Sequence, residues 1–400
     1  MKIIHTADLH IGQTFHSHSR QNDHLHFFAQ LKSLIAERQT DVVLVAGDVF
    51  DTANPSAEAQ SLFYRFISDA VRENPGLQIV ITAGNHDSAA RLEAPNPLLE
   101  SWNVTVRGTV KRNADGTIDY RNLVIPLMVK GAPAGWCLAV PYLRQGDYPP
   151  AEDYSQGIEM FYRGLYEAVT DKSLPVIAMG HLHAASADCS KDDRSEHPIG
   201  GIEGVSPSAF LPEFAYTALG HLHRPQQVGR RKNVRYCGAP LPMSFAEIKY
   251  RRGVTELTLD TNGIQIEHIE MEPLAALQRI TAESVDEALE QLRQLPKADD
   301  FPPDTLPFLE VAVKWNGPDP ALRYKVDEVL KDKAVRLARL DYTPPKPDGG
   351  SEPMVFAEMQ TRDAKELVIE IAQKEYNRKY GSDLPSAMQT LLQEVISGII

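Results

Sequence analysis

The stretch DVVLVAGDVFD, residues 41–51, decides the fold. Its apolar, largely β-branched run from Val42 to Ala46 reads as a strand buried on both faces, the kind found inside parallel sheets. The run stops at Gly47-Asp48, where the chain leaves the sheet and presents a carboxylate, with Asp51 following. Four other runs end in the same way: KIIHTADLH (2–10) at Asp8 and His10, LQIVITAGNHD (77–87) at Asn85, His86 and Asp87, PVIAMGH (175–181) at His181, and FAYTALGHLH (214–223) at His221 and His223. Strand ends are where open α/β sheets keep their ligands. Between the first three runs, residues 21–38 and 56–72 carry apolar residues at helical spacing, so strand and helix alternate and a layered α/β fold follows.

The side chains at these strand ends are hard oxygen and borderline nitrogen donors. That mixture suits manganese, iron or zinc and suits an all-oxygen calcium site poorly. A binuclear clamp needs a bridging carboxylate, about three further ligands for each cation and open positions for water and substrate oxygens. Asp48 is the natural bridge. The thirteen histidines leave a gap between Asp87 and Gly180, so a lone histidine ligand comes from Gly180-His181-Leu-His183 and a final pair from Gly220-His221-Leu-His223. His181 directly follows its strand and is preferred to His183. His86 is expected to point past the metals and protonate a leaving oxygen, with Asp87 orienting its ring. Asp51 has three readings: a carboxylate behind a ligand, a helix-start residue before Ser56, or a substrate-side group.

Composition sets the outer bounds. Four hundred residues suggest two domains and a tail. Cys137, Cys189 and Cys237 fit no paired framework, so reduced thiols are expected. MKIIHTADLH already reads as strand and site, and no apolar run reaches the roughly 18 residues of a membrane span, which points to a cytoplasmic protein with no membrane attachment. A net charge of −13 argues against a general electrostatic grip on nucleic acid. The segment 229–253 differs, with Arg230, Arg231, Lys232, Arg235, Lys249, Arg251 and Arg252 opposed only by Glu247. It reads either as a phosphate-backbone path beside the metals or as a solvated hairpin.

From Asn122 the pattern changes to paired short strands (NLVIPLMV, GWCLAVPYL), and ELTLDTNGIQIEHIE (256–270) signals a hairpin. Two sheets packed face to face are therefore expected in residues 1–272. Residues 273–343 read strand, helix, strand, helix, strand, with a capping-box signal at Ser284 and Glu287. A Pro- and Gly-rich linker is expected over 344–353, then an amphipathic helical tail over 354–400 suited to a partner's groove.

Taken together, TADLHIGQTF, VAGDVFDTANPS, ITAGNHDS, ALGHLHRPQ and RYCGAPLPMSF resemble the calcineurin-like metallophosphoesterase superfamily and, within it, the SbcD type of bacterial nuclease subunit. The resemblance implies a metallophosphoesterase β-sandwich flanked by helices, a small α/β cap and a helical tail. It places one metal on Asp8, His10, Asp48 and His223, a second on Asp48, Asn85, His181 and His221, and the catalytic histidine on His86. Manganese is the implied ion, with magnesium as the alternative. It further implies an SbcC-type coiled-coil ATPase gripped by residues 354–399 and a nuclease homodimer within a heterotetramer. The implied activity is an ATP-independent 3′→5′ exonuclease on double-stranded DNA and an ATP-dependent endonuclease on hairpins, serving replication, recombination and repair. Where archaeal and eukaryotic relatives carry a histidine in the second motif, this chain carries Asp51. The alternative is a small-molecule phosphodiesterase or phosphatase on the same metals.

Overall fold

The computed structural model describes residues 1–185, 187, 204–261, 263–314 and 321–343, together with Gln373, Tyr376, Pro385 and Met388. The expected linker, Cys189, His197 and almost all of the expected helical tail lie outside the described residues. The chain divides into two compact units, Met1–Thr343 and Pro344–Ile400.

Two six-stranded sheets form the body of the first unit. In one, β1 (Lys2–Thr6) lies between β4 (Val42–Ala46) and β13 (Gly253–Asp260), with β5 (Gln78–Thr82) and β6 (Val104–Arg107) beyond β4 and β14 (Gly263–Glu270) at the far edge. The other runs β11 (Gln226–Val228), β12 (Arg231–Tyr236), β10 (Phe214–Gly220), β9 (Val176–His181), β8 (Ala132–Leu138), β7 (Val124–Val129). β1, β4, β5 and β6 pair in parallel, as do β8, β9, β10 and β12, while the β13–β14 and β7–β8 hairpins are antiparallel. Mixed pairing was expected and is present.

The period-2 rule of strands sorts the core. Ile4, Val43, Val45, Ile79 and Ile81 face Phe27, Phe28, Leu31 and Ile35 of the helix Gln21–Arg38 and Phe63, Phe66 and Ile67 of the helix Ala57–Glu73. Their neighbours Ile3, Val42, Leu44 and Val80 face the second sheet through Ile177, Met179, Tyr216 and Ala218. The far face of that sheet is covered by the helix Tyr154–Ala168 through Ile158, Phe161, Tyr162 and Leu165. The order is therefore helices, sheet, sheet, helix. At roughly 1.5–3 kcal/mol for each large apolar side chain removed from water, this double-sided burial fixes where the strands end. Ser56 caps the helix Ala57–Glu73 by accepting from Ala59 N at 3.1 Å, so the helix starts there rather than at Asp51.

A smaller parallel sheet, β15 (Leu277–Ala282), β16 (Phe308–Lys314) and β17 (Arg336–Thr343), carries helices Val285–Arg293 and Leu322–Leu330. Ser284 caps the first of these, accepting from Glu287 N at 3.2 Å. The sheet is joined to the body through an aromatic knot. Phe308 packs with Phe15, which lies on the short hairpin β2–β3 (Thr14–Phe15, His18–Ser19), and with Phe245. Beneath it Arg20, only 1% exposed, pairs with Asp23 at 3.2 Å and donates to Pro242 O at 2.9 Å, its guanidinium 5.3 Å from the Phe15 ring and 5.2 Å from Phe308. His16 is exposed, whereas His18 is half-buried and its Nε2 meets Leu337 O at 3.2 Å. Among the described residues no helix is long and apolar enough to cross a membrane.

Candidate metal centre

All five motifs lie at or just past the ends of β1, β4, β5, β9 and β10, adjacent strands of two facing sheets. The turns that carry them are conformationally expensive. Asp8, His10, Asp48 and His221 all adopt positive φ, at 52°, 44°, 48° and 101°. Non-glycine residues in this region cost of order 1–3 kcal/mol each and persist where the surroundings over-determine them. Glycines make room: a Cβ on Gly47 would collide with the His181 ring, and one on Gly84 with the Asp48 carboxylate.

Three groups of side chains place donor atoms within 4.8 Å of one another: Asp8, His10 and His223; Asp48, His181 and His221; and His10, Asp48 and His86. The first of these contains His223 and the second His181 and His221. Asn85 joins the second, its Oδ1 3.0 Å from His181 Nε2 and 3.1 Å from His221 Nδ1. His181 is in a group and His183 in none, among the described residues.

The donor set fits cations on two grounds. Asp8 Oδ2 and His10 Nε2 are buried without a hydrogen bond, and orphaned polar atoms are rare unless something else satisfies them. His181 donates from Nδ1 to Ala46 O at 3.0 Å, which turns Nε2 towards Asp48 Oδ2 at 3.1 Å and Asn85 Oδ1. Three acceptors converging in a buried space call for a positive charge among them. The electrostatics respond accordingly. Burial opposes ionisation of Asp48, but His181, His10 and His86 hold its carboxyl far below the usual range. Burial favours the neutral His181 ring, yet Asp48 and then Asp8 hold its pKa up at about 9. Burial, with Asp48 adding to it, pushes Asp8 up against the pull of His181 and His223.

The expectation for Asp87 needs correcting. Its carboxylate accepts from the backbone N–H groups of Gly84, Phe50 and Val49 at 2.9, 2.9 and 3.1 Å, stitching two of the motif loops together. The partner of His86 Nδ1 is instead the Asp51 carbonyl at 2.9 Å, and the ring stands edge-on to His10 with centroids 4.9 Å apart. Asp51 also sets its carboxylate against His10 Nδ1 at 3.4 Å.

Two neighbours of the site were not read from the sequence. Tyr142 stands edge-on to His181 at 6.2 Å, with Arg144 over its outer face. Glu247, 1% exposed, meets His223 Nδ1 at 3.2 Å and Arg252 at 2.7 Å. Burial alone would raise its pKa, but His223 and Arg252 hold it at about 2. A signal for it existed: Glu247 is the lone acid of the basic segment 229–253. That segment is less available than expected. Arg252 is tied to Glu247, Ala239 O and Leu241 O, and Arg231 donates to the carbonyls of Pro207, Phe210 and Leu211. Arg251 pairs with Glu270 at 3.1 Å, while Arg230, Lys232 and Lys249 are exposed.

The chain matches known families and proteins. Residues 1–225 match the family model described as calcineurin-like phosphoesterase, and residues 273–374 the one described as type 5 capsule protein repressor C-terminal domain. The chain is 40% identical over 360 residues to a Rhodobacter capsulatus protein named as the D subunit of the nuclease SbcCD, covering 86% of this chain and 88% of that one. A protein of the same name from Escherichia coli K12 is 33% identical over 314 residues, 74% of this chain and 75% of that one. One from Bacillus subtilis 168 is 32% identical over 272 residues, 64% of this chain and 65% of that one.

Proposed function

We propose that this chain, which belongs to the calcineurin-like phosphoesterase family and to its SbcD nuclease branch, is the nuclease subunit of an SbcCD-type complex and hydrolyses DNA phosphodiester bonds with two divalent metals. The observation that carries the reading is Asp48. It shares a donor group with His181 and His221, and its Oδ2 lies 3.8 Å from Nε2 of His10, a member of the group with Asp8 and His223, which supports a carboxylate placed between two cations.

In this reading Asp8, His10 and His223 hold one cation with Asp48, and Asn85, His181 and His221 hold the second, again with Asp48. Such a pair of ions supplies a nucleophile at neutral pH and neutralises charge on the phosphoryl oxygens. His86, anchored through Nδ1 by the Asp51 carbonyl, carries the proton for the leaving oxygen on Nε2, a contribution of about 10²- to 10⁴-fold. Asp87 acts on the reaction only by fixing the loops that bear Asp48 and Asn85. Manganese is the ion we assign, with magnesium as the alternative.

Residues 1–272 form the nuclease domain in this account, 273–343 a cap, 344–353 a linker and 354–400 the partner-binding tail. The partner is an SbcC-type coiled-coil ATPase, two copies of each subunit making the working cytoplasmic complex on double-stranded and hairpin DNA. Support comes from the relatives, each named as a subunit of the nuclease SbcCD.

The test is turnover of hairpin DNA against a chromogenic phosphodiester and a phosphotyrosine mimic in the presence of manganese. Cleavage of DNA, abolished with His86→Ala, is expected. Activity confined to the small esters would replace the nuclease with a small-molecule phosphoesterase.

A further inference from the structure

We infer that Glu247 is a positioning residue for His223, fixing which ring nitrogen the proposed metal site receives. The inference rests on the binuclear reading above. Glu247 lies at the end of the single turn Phe245–Glu247, in a part of the chain that carries none of the five motifs. Its carboxylate Oε1 meets His223 Nδ1 at 3.2 Å, and its Oε2 accepts from Arg252 at 2.7 Å and from Met243 N at 3.2 Å. A carboxylate on Nδ1 holds the proton there. The lone pair of Nε2 is then the one offered to the group formed with Asp8 and His10.

Two features make this more than a buried ion pair. An ionised carboxylate that is 1% exposed is costly to desolvate, and Arg252 opposes that cost through one oxygen while the geometry commits the other to the histidine. Further, the turn bearing Glu247 is held from outside. Arg279 of β15 donates to Phe245 O at 3.1 Å, and Phe245 is packed against Phe15 and Phe308 in the aromatic knot. Glu247 therefore transmits a rigid frame, shared with the smaller sheet, to one ligand of one metal. His181 is served differently, by the neutral carbonyl of Ala46.

Manganese titration of the full chain by calorimetry, read alongside the electron paramagnetic resonance of the manganese pair, tests this. His223→Ala first checks the metal reading and should weaken one of two ions. Glu247→Gln should weaken that same ion by about 10- to 100-fold, leave the other within about twofold, and lose the exchange-coupled signal at concentrations that saturate the parent. Because Glu247→Gln leaves Arg252 buried without its counter-charge, Glu247→Gln/Arg252→Gln removes both charges, and Glu247→Asp keeps the charge while shortening the reach by one methylene. Both should show the same selective loss while melting, metal-free, as folded proteins. If His223→Ala weakens one ion and these variants bind both ions as the parent does, the role of Glu247 is overturned and the metal reading stands. If His223→Ala leaves both ions in place, the metal reading itself fails.

Discussion

Asp48 Oδ2 lies 3.1 Å from His181 Nε2, with both side chains almost fully buried. The pair makes metal-free stability depend on pH. His181, raised from 6.5 to about 9, contributes stability that is complete below pH 6.5 and lost as pH rises through 9. Burial lowers His24 to about 4 and His5 to about 3, so these contribute stability that is complete above pH 6.5 and lost as pH falls through those values. Denaturant unfolding of the metal-free protein should therefore show greatest stability near pH 6.5, falling on both sides. If manganese takes the place of the His181 proton it should abolish the alkaline decline; an alkaline decline that persists at saturating manganese counts against His181 as a ligand.

His86→Ala should lower single-turnover cleavage of hairpin DNA by about 10²- to 10⁴-fold while the protein retains two metals by elemental analysis. His86 also belongs to a donor group with His10 and Asp48. Loss of a metal with the activity would make it a ligand rather than the proton donor.

Gly84→Ala should damage the site without replacing any donor residue. The added methyl would meet the Asp48 carboxylate and its backbone nitrogen, and relieving such overpacking costs typically about 1–3 kcal/mol. A lowered melting temperature together with weakened metal binding is the expected result, and parent-like values of both would show that Asp48 can move aside.

Much of this was legible because its signals are local. An apolar run that ends in Gly-Asp, Gly-Asn-His or Gly-His announces both a strand and what stands at its tip, so β1, β4, β5, β9 and β10 and the donors beyond them could be read directly. Tertiary relationships could not. Asp87 adjoins His86 in sequence, which suggested a contact between the two, yet the turn sends its carboxylate to three backbone amides. Glu247 reaches His223 across 24 residues, and Arg231 and Arg252 satisfy buried carbonyls, uses that a count of charges does not reveal.

Phe308 is fully buried in the knot between the body and the smaller sheet. Phe308→Ala should cost about 3–5 kcal/mol, measured by denaturant unfolding, since it leaves a cavity and removes one face of the stack around Arg20. A loss under about 1 kcal/mol would mean that the knot relaxes to fill the space.

The most direct measurement is anomalous diffraction from crystals of the protein grown with manganese. Two peaks are predicted on either side of Asp48, one among Asp8, His10 and His223 and the other among Asn85, His181 and His221. A single peak, or peaks away from Asp48, would contradict the binuclear centre.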